Sequence, residues 1–237
     1  MALPKIELPL FELEVPSTGK KVKYRAFTVK EEKILLIAQE SKEIDQVVLS
    51  VKQILNNCLV GVDVDSLAIF DLEYIMMNIR AKSVTNSVKF SVTDPDTNES
   101  IPLEFDIDQL FVKRHDNHNN IIKVNDNTNL IMRYPTFDQL KDLRGFGESD
   151  SEKKSEILAK IMFDCVYSVE SDGSMYKLDE FSDKEVEEFF DSLPAYAVKG
   201  IETFFETMPV LRYEIKYKNK AGTEKTFVIE GMDSFFL

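Results

Sequence analysis

Residues 201–229 read IETFFETMPVLRYEIKYKNKAGTEKTFVI, and the period of their apolar positions changes in the middle. Ile201, Phe204, Phe205 and Met208 recur at the spacing of one helical face, and Pro209, which cannot donate to a helical ladder, stops it. Beyond it Leu211, Tyr213, Ile215 and Tyr217 alternate with polar residues, Asn219, Lys220, Ala221 and Gly222 turn, and 227–229 returns. A helix feeding an antiparallel hairpin is the material of an α+β fold.

The same order occurs upstream. Leu72, Ile75, Met76 and Ile79 mark a helix over 66–82; Val88, Phe90 and Val92 alternate into a polar turn at 94–98, and Ile101, Leu103 and Phe105 return. Each stretch, 66–112 and 182–237, closes on a short apolar tail: Leu110-Phe111 in the first, Phe235-Phe236 in the second. Residue matches between the two are poor, so a weak internal helix-hairpin duplication is an expectation that superposition of the two segments would test.

The rest of the chain obeys the same rules. Phe11, Leu13 and Val15, a turn at 16–19, and Val22 and Tyr24 form a first hairpin. Thr28 and Glu31 have the spacing of a capping box, in which each side chain satisfies an amide of the first helical turn, ahead of the apolar run 34–37. Val47, Val48, Val51, Ile54, Leu55, Cys58 and Leu59 share one stripe, so three helices follow the first hairpin. After a polar loop at 114–120, residues 121–124 and 130–134 flank Asn125-Asp126-Asn127 as a further hairpin ended by Pro135, and 136–143 reads as a short helix. Ile157, Leu158, Ile161, Met162, Cys165 and Val166 mark another helix; Ser182 and Glu185 cap one with Val186, Phe189 and Phe190 inward and Pro194 just beyond its end. The fold class is therefore α+β, amphipathic helices packed with several antiparallel β-hairpins. Glycines, a serine and acids at 145–151 make the expected linker, between an N-terminal hairpin/helical domain with two further hairpins over 1–144 and a C-terminal helical domain over 152–237 that ends in a β-hairpin.

Composition narrows the function. A chain of 237 residues with 43% apolar and 30% charged residues can bury a core. Residues 1–10 lack the basic flank and apolar run of a secretion signal, and no apolar stretch nears the roughly 18–20 residues that span a bilayer, so neither export nor membrane insertion is expected. Cys58 and Cys165 sit on apolar stripes and read as buried free thiols. The net charge, 29 − 42 = −13, opposes nucleic-acid binding, which rests on Lys and Arg displacing counterions. The charge is uneven: 148–191 holds 14 acids against five lysines, and 212–225 five cations against two glutamates. The acidic stretch reads as a solvated face or as a field that steers a basic partner.

Catalytic candidates are few. The two histidines, His115 and His118, lie in the polar loop without a cysteine or a placed third ligand, so a solvated loop is favoured over a metal site. Asp94, Asp96 and Asn98 open like a calcium loop, but Glu99 stands where glycine is needed and Phe105 where a bidentate glutamate is needed; a hairpin turn with Asp and Asn bonded to local backbone fits instead. Neither Ser17-Thr18-Gly19-Lys20 nor Gly145-Phe146-Gly147 has the setting of a phosphate loop. Glu187-Glu188 and Asp179-Glu180 offer carboxylate pairs for a hydrolase, yet in so acidic a chain a solvated helix face is the simpler reading, and no tryptophan supplies a sugar platform. The expectation is no enzyme, no catalytic residue, no metal and no cofactor; a hydrolase using surface carboxylates, or a generic acidic adaptor or inhibitor, is the alternative. Binding is the better expectation, since hairpins expose edges that accept partner strands. Met76-Met77, Phe189-Phe190 and Phe204-Phe205 suit either an adaptable groove or a core.

Phe204-Phe205-Glu206-Thr207-Met208-Pro209 with Leu211, a hairpin, and then Glu230-Gly231-Met232-Asp233-Ser234-Phe235-Phe236 resembles the ending of the baseplate hub subunits and baseplate hub assembly proteins of T4-like phages. Leu3-Pro4-Lys5, Pro16-Ser17-Thr18-Gly19-Lys20-Lys21, Phe27-Thr28-Val29-Lys30-Glu31-Glu32-Lys33 and Met132-Arg133-Tyr134-Pro135-Thr136 are similar as well. Some members carry cysteine pairs at a hairpin turn, which suggests zinc; the corresponding turn here, 217–222, has no thiol. The resemblance implies a non-catalytic chaperone or minor structural subunit of the hub of a contractile tail. It would act in the host cytoplasm during assembly or in the virion baseplate. Its implied partners are other tail and baseplate hub proteins, with the tape-measure protein among the candidates, and neither nucleic acid nor membrane. Phe204, Phe205, Met208, Phe235 and Phe236 are the expected partner-binding residues, with core packing as the competing reading.

Overall fold

The computed structural model describes residues 6–41, 44–136, 139 and 151–230. The chain divides into two compact units, residues 1–113 with 210–237, and residues 114–209. Unit 1 opens with β1 (Leu10–Glu14) and β2 (Lys21–Arg25), paired antiparallel so that Phe11 faces Tyr24 and Leu13 faces Val22. Their turn needs Gly19, whose φ of 67° is open to glycine and strained for other residues. It is tied down by Asp71, whose fully buried carboxylate accepts from the Ser17 N–H at 2.8 Å, the Ser17 hydroxyl at 2.5 Å and the Ala68 N–H at 3.3 Å. Helix α1 (Val29–Ser41) starts on the expected capping box, with the Thr28 N–H and hydroxyl donating to Glu31 at 2.8 and 2.6 Å. Arg25 and Asn57 also donate to Glu31, at 3.2 and 3.3 Å. Burial opposes the charge on Glu31, but the Thr28 hydroxyl, Arg25 and the Thr28 N–H together hold its carboxyl down at about 2.

Helix α2 (Ile44–Cys58) buries the stripe Val51, Ile54, Leu55 and Cys58 completely, and β3 (Leu59–Val60) then adds to the free edge of β2. Helix α3 (Ile69–Ser83) buries Leu72, Ile75, Met76, Met77 and Ile79, so Met76-Met77 belongs to the core. Each such side chain contributes about 1.5–3 kcal/mol. Strands β4 (Ser87–Thr93) and β5 (Ser100–Asp106) form the expected hairpin, and the chain runs on through β6 (Phe111–Lys113).

There the chain leaves unit 1. Unit 2 contains β7 (Ile121–Lys123), β8 (Thr128–Met132), α4 (Ser151–Asp164), β9 (Val166–Ser171), β10 (Ser174–Lys177), α5 (Asp183–Asp191) and α6 (Ala195–Glu206). Its strands pair antiparallel in the order β10-β9-β8-β7. The second capping box holds α5, with the Ser182 N–H donating to Glu185 at 2.9 Å and Glu185 N–H to the Ser182 hydroxyl at 3.5 Å. Helix α6 lies so near β7 that a Cβ on Gly200 would come within 2.5 Å of Cγ2 of Ile122. Leu130, Cys165, Ile201 and Phe204 centre the core of this unit.

After Pro209 the chain returns to unit 1 as β11 (Val210–Lys218) and β12 (Glu224–Glu230). β11 pairs with β12 on one side and with β6 on the other, Val210 opposite Lys113 and Leu211 opposite Val112. Leu211 and Ile229 pack with Met77, Phe105, Ile107 and Leu110. The α+β class stands, with two differences from expectation. A further hairpin, β9–β10, turns on Asp172 and Gly173, both at positive φ; only Val166 of it falls in the helix expected there, and no element is expected over 167–181. The last hairpin groups with the N-terminal segment because β11 pairs with β6, whereas the expected division placed it with 152–237; of the expected linker 145–151, residues 145–150 lie outside the described residues, as does most of the 136–143 helix. The helix-hairpin order recurs, but α3 shares a unit with β4–β5 while α6 and β11–β12 belong to different units. Cys58 and Cys165 are buried and free, and burial pushes their thiols up to about 11 and about 12.

Candidate interaction surfaces

The Asp94 turn resembles a metal loop in sequence and in space is a clamp between two hairpins of unit 1. Asp94 is fully buried and accepts from the N–H groups of Asp96 and Thr97 at 3.1 and 3.0 Å, the local bonding expected of such a turn. It also accepts from the Tyr217 hydroxyl at 3.0 Å and pairs with Lys225 at 3.2 Å, both from the β11–β12 hairpin. Burial works against its charge, but these donors outweigh it and hold the Asp94 carboxyl well below the usual carboxylate range. Lys225 also meets Asp96 at 2.6 Å, Lys220 meets Glu99 at 2.8 Å, Lys218 meets Glu224 at 3.2 Å, and Arg212 meets Glu230 and Glu214 at 2.7 and 2.9 Å. The basic run at 212–225 is thus mostly neutralised within unit 1. No group of three metal-competent side chains occurs among the described residues.

His118 is part of the packing of unit 2 and not a solvated loop residue. Its Nδ1 lies 3.0 Å from the Thr207 hydroxyl and its Nε2 3.0 Å from the Tyr134 hydroxyl, and its ring packs on Tyr134 and Phe204. Burial, then Arg114 and His115, push its pKa down. Of the expected partner-binding residues, Phe204 is 2% exposed and is core, and Phe205 stands edge-on to it at 5.3 Å, half-buried. Met208 is half-buried, and Phe235 and Phe236 lie outside the described residues.

The open surface of unit 2 lies around α5. A trough of about 800 Å³ is lined by half-buried Phe163, Leu178, Val186 and Phe190, by Phe181 at 42% exposure, and by exposed Asp164, Asp179, Asp183, Glu187 and Asp191 with Arg133 and Lys160. The Arg133 guanidinium is spent on the Asp164 carbonyl, at 2.8 and 3.1 Å. A second trough of about 640 Å³ shares Leu178, Phe181 and Val186 and adds Tyr176, Phe189, Glu185 and Glu188. Glu187 and Glu188 therefore line different troughs, and Glu188 pairs with Lys184 at 3.5 Å. Beside the second trough, β10 is a sheet edge with all four residues exposed.

The sequence model of one family, described as T4 bacteriophage base plate protein, matches residues 8–237. The chain belongs to this family. No curated protein and no solved structure matches the chain. In this base plate protein the matched span takes in both compact units. Two stretches that carried the resemblance have structural work: 16–21 is the turn held by Asp71, and 27–33 is the capped start of α1. Residues 204–211 join the core of unit 2 to β11, while 3–5 and 231–236 lie outside the described residues. Asp71 and the clamp of Asp94 with Tyr217 and Lys225 were not legible as sites, since each joins segments far apart in sequence, and the α5 troughs were not because they form only where α4, α5 and β9 pack together. Among the described residues no helix is long and apolar enough to cross a membrane.

Proposed function

We propose that this base plate protein is a non-catalytic assembly factor (chaperone) or minor structural subunit of the baseplate hub of a contractile phage tail, acting by protein–protein binding. The family match along residues 8–237 carries this reading. The open troughs beside α5 and the exposed edge strand β10 support it, because apolar concavities and free sheet edges are what a binding protein offers. Its partners are other tail and hub proteins, the tape-measure protein among them. Hydrolysis by Glu187 and Glu188 is disfavoured by their geometry, since a carboxylate pair must face one cleft. An affinity-tagged full chain in infected cells tests the reading: retention of hub proteins is the expected result, and retention of no tail protein overturns it. Mass spectrometry of purified tails separates the two roles, a subunit being present in mature tails and a chaperone lost before maturation.

A further inference from the structure

We infer that the α5 trough of unit 2 receives a basic amphipathic segment of a protein partner, whose apolar side chains fill the trough while its lysines or arginines meet the carboxylates on the rim. The inference rests on the reading of the chain as a binding protein of the baseplate. Size, polarity and charge together point to this occupant. About 800 Å³ of open concavity accommodates several side chains, and its walls include Phe181, left 42% exposed although it stands among half-buried Leu178 and Phe190. Covering such aromatic surface is favourable and non-directional, so it supplies affinity without selecting a partner.

Selection comes from the rim. Asp183, Glu187 and Asp191 are exposed and form no ion pair among the described residues, in contrast to Arg212, Lys218, Lys220 and Lys225 of unit 1, which already have partners. Residues 114–209 hold 11 Lys and Arg against 20 Asp and Glu, a formal 11 − 20 = −9 of the chain's −13. A field of one sign around an apolar concavity speeds encounter with a cationic surface and repels anionic ones. The same field disfavours a second copy of this chain and any nucleic acid as the occupant.

The test uses the full-length chain and a fluorescently labelled peptide of leucine and lysine patterned for one amphipathic helix, followed by anisotropy. Binding should weaken as salt rises, and a scrambled peptide of the same composition should bind less tightly. Glu187→Lys and Phe181→Ala should each weaken binding by about fivefold or more, while Asp116→Lys, the same change of net charge at an exposed position away from the trough lining, should stay within about twofold. Asp191→Lys, at the C-terminal end of α5 where a cation suits the helix dipole, repeats the rim test in a variant not expected to lose the fold. Equal binding by all variants, or by the scrambled peptide, overturns the inference. So does self-association of the wild-type chain that Phe181→Ala abolishes, which would put a second copy in the trough. Failure here is distinguishable from failure of the baseplate reading: if the wild-type chain and Glu187→Lys retain the same tail proteins equally well, the trough is wrong and the baseplate role stands.

Discussion

Replacing Asp71 tests how the first hairpin is held to α3. The carboxylate accepts from the Ser17 N–H at 2.8 Å, the Ser17 hydroxyl at 2.5 Å and the Ala68 N–H at 3.3 Å. A hydrogen bond to a charged group contributes roughly 1.5–3 kcal/mol, and the low end suits Ser17, which is half-buried and can be rehydrated. The Ala68 N–H is at the buried start of α3 and has less recourse to water, although its bond is the longest of the three. Asp71→Ala should therefore cost unit 1 about 3–4 kcal/mol. Asp71→Asn, which keeps the shape and one acceptor but turns an NH₂ towards a donor, should cost about 1–2 kcal/mol, and Ser17→Ala about 1 kcal/mol. Urea unfolding by circular dichroism gives the energies, and hydrogen exchange at 15–25 localises them to the hairpin. A loss below about 1 kcal/mol for Asp71→Ala would refute the argument. A loss for Asp71→Asn equal to that for Asp71→Ala would refute it too, since the acceptors would then carry nothing.

Three further outcomes follow from the same geometry. Glu31 has its folded pKa lowered to about 2, so its contribution is present above the unfolded value near 4.5 and disappears as pH falls towards 2. Allowing for water at Arg25, that contribution is roughly 1–2 kcal/mol; Glu31→Gln should be destabilised by that amount at pH 7 and converge with wild type near pH 2, as urea titrations would show. His118 has its pKa lowered below 6.5, so protonation opposes folding and unit 2 should lose stability as pH drops through and below 6.5; His118→Phe should lack that slope and cost about 1–2 kcal/mol at pH 8 through its two lost hydrogen bonds, both measurable by thermal melts across pH. Joining Lys113 to Val210 through a short glycine-containing turn in place of 114–209 should leave unit 1 folded, because opposed residues of antiparallel strands lie roughly 4.5–5.5 Å apart; a shortened chain with no cooperative thermal transition would contradict this.

Elements with a local cause were legible. Both capping boxes, the buried stripes of α2 and α3 and four hairpins follow from spacing, caps and turn residues that act within a few positions. The β9–β10 hairpin had a local signal as well, Asp172-Gly173 between alternating residues, and it was obscured because the stripe of α4 runs to Cys165 and Val166 without a break. Strands β3 and β6 are too short for any period to register, and each exists because a longer strand offers it an edge. The residues expected to bind a partner divided on burial, which periodicity does not determine: Phe204 and Phe205 share one helical stripe, but only Phe204 is fully enclosed. The acidic stretch was visible as a charge count; its apolar concavity required α4, α5 and the start of β9 to meet.

The stretch 201–229 shows where local reading stops. The change of period at Pro209 is a helix end and a strand start, and it is also the point at which the chain passes from one compact unit to the other. Nothing local to Pro209 announces that passage, because what decides it is the ladder between β11 and β6. That ladder holds the exit at Lys113 and the re-entry at Val210 opposite one another, so a module between them adds no long open loop to its host. Unit 1 then rests on Met77, Phe105, Leu211 and Ile229, while the acidic trough rests on residues of unit 2 alone. The residues that line the trough and those that stabilise unit 1 therefore belong to different units, which separates the binding experiments from the Asp71 and Glu31 stability experiments.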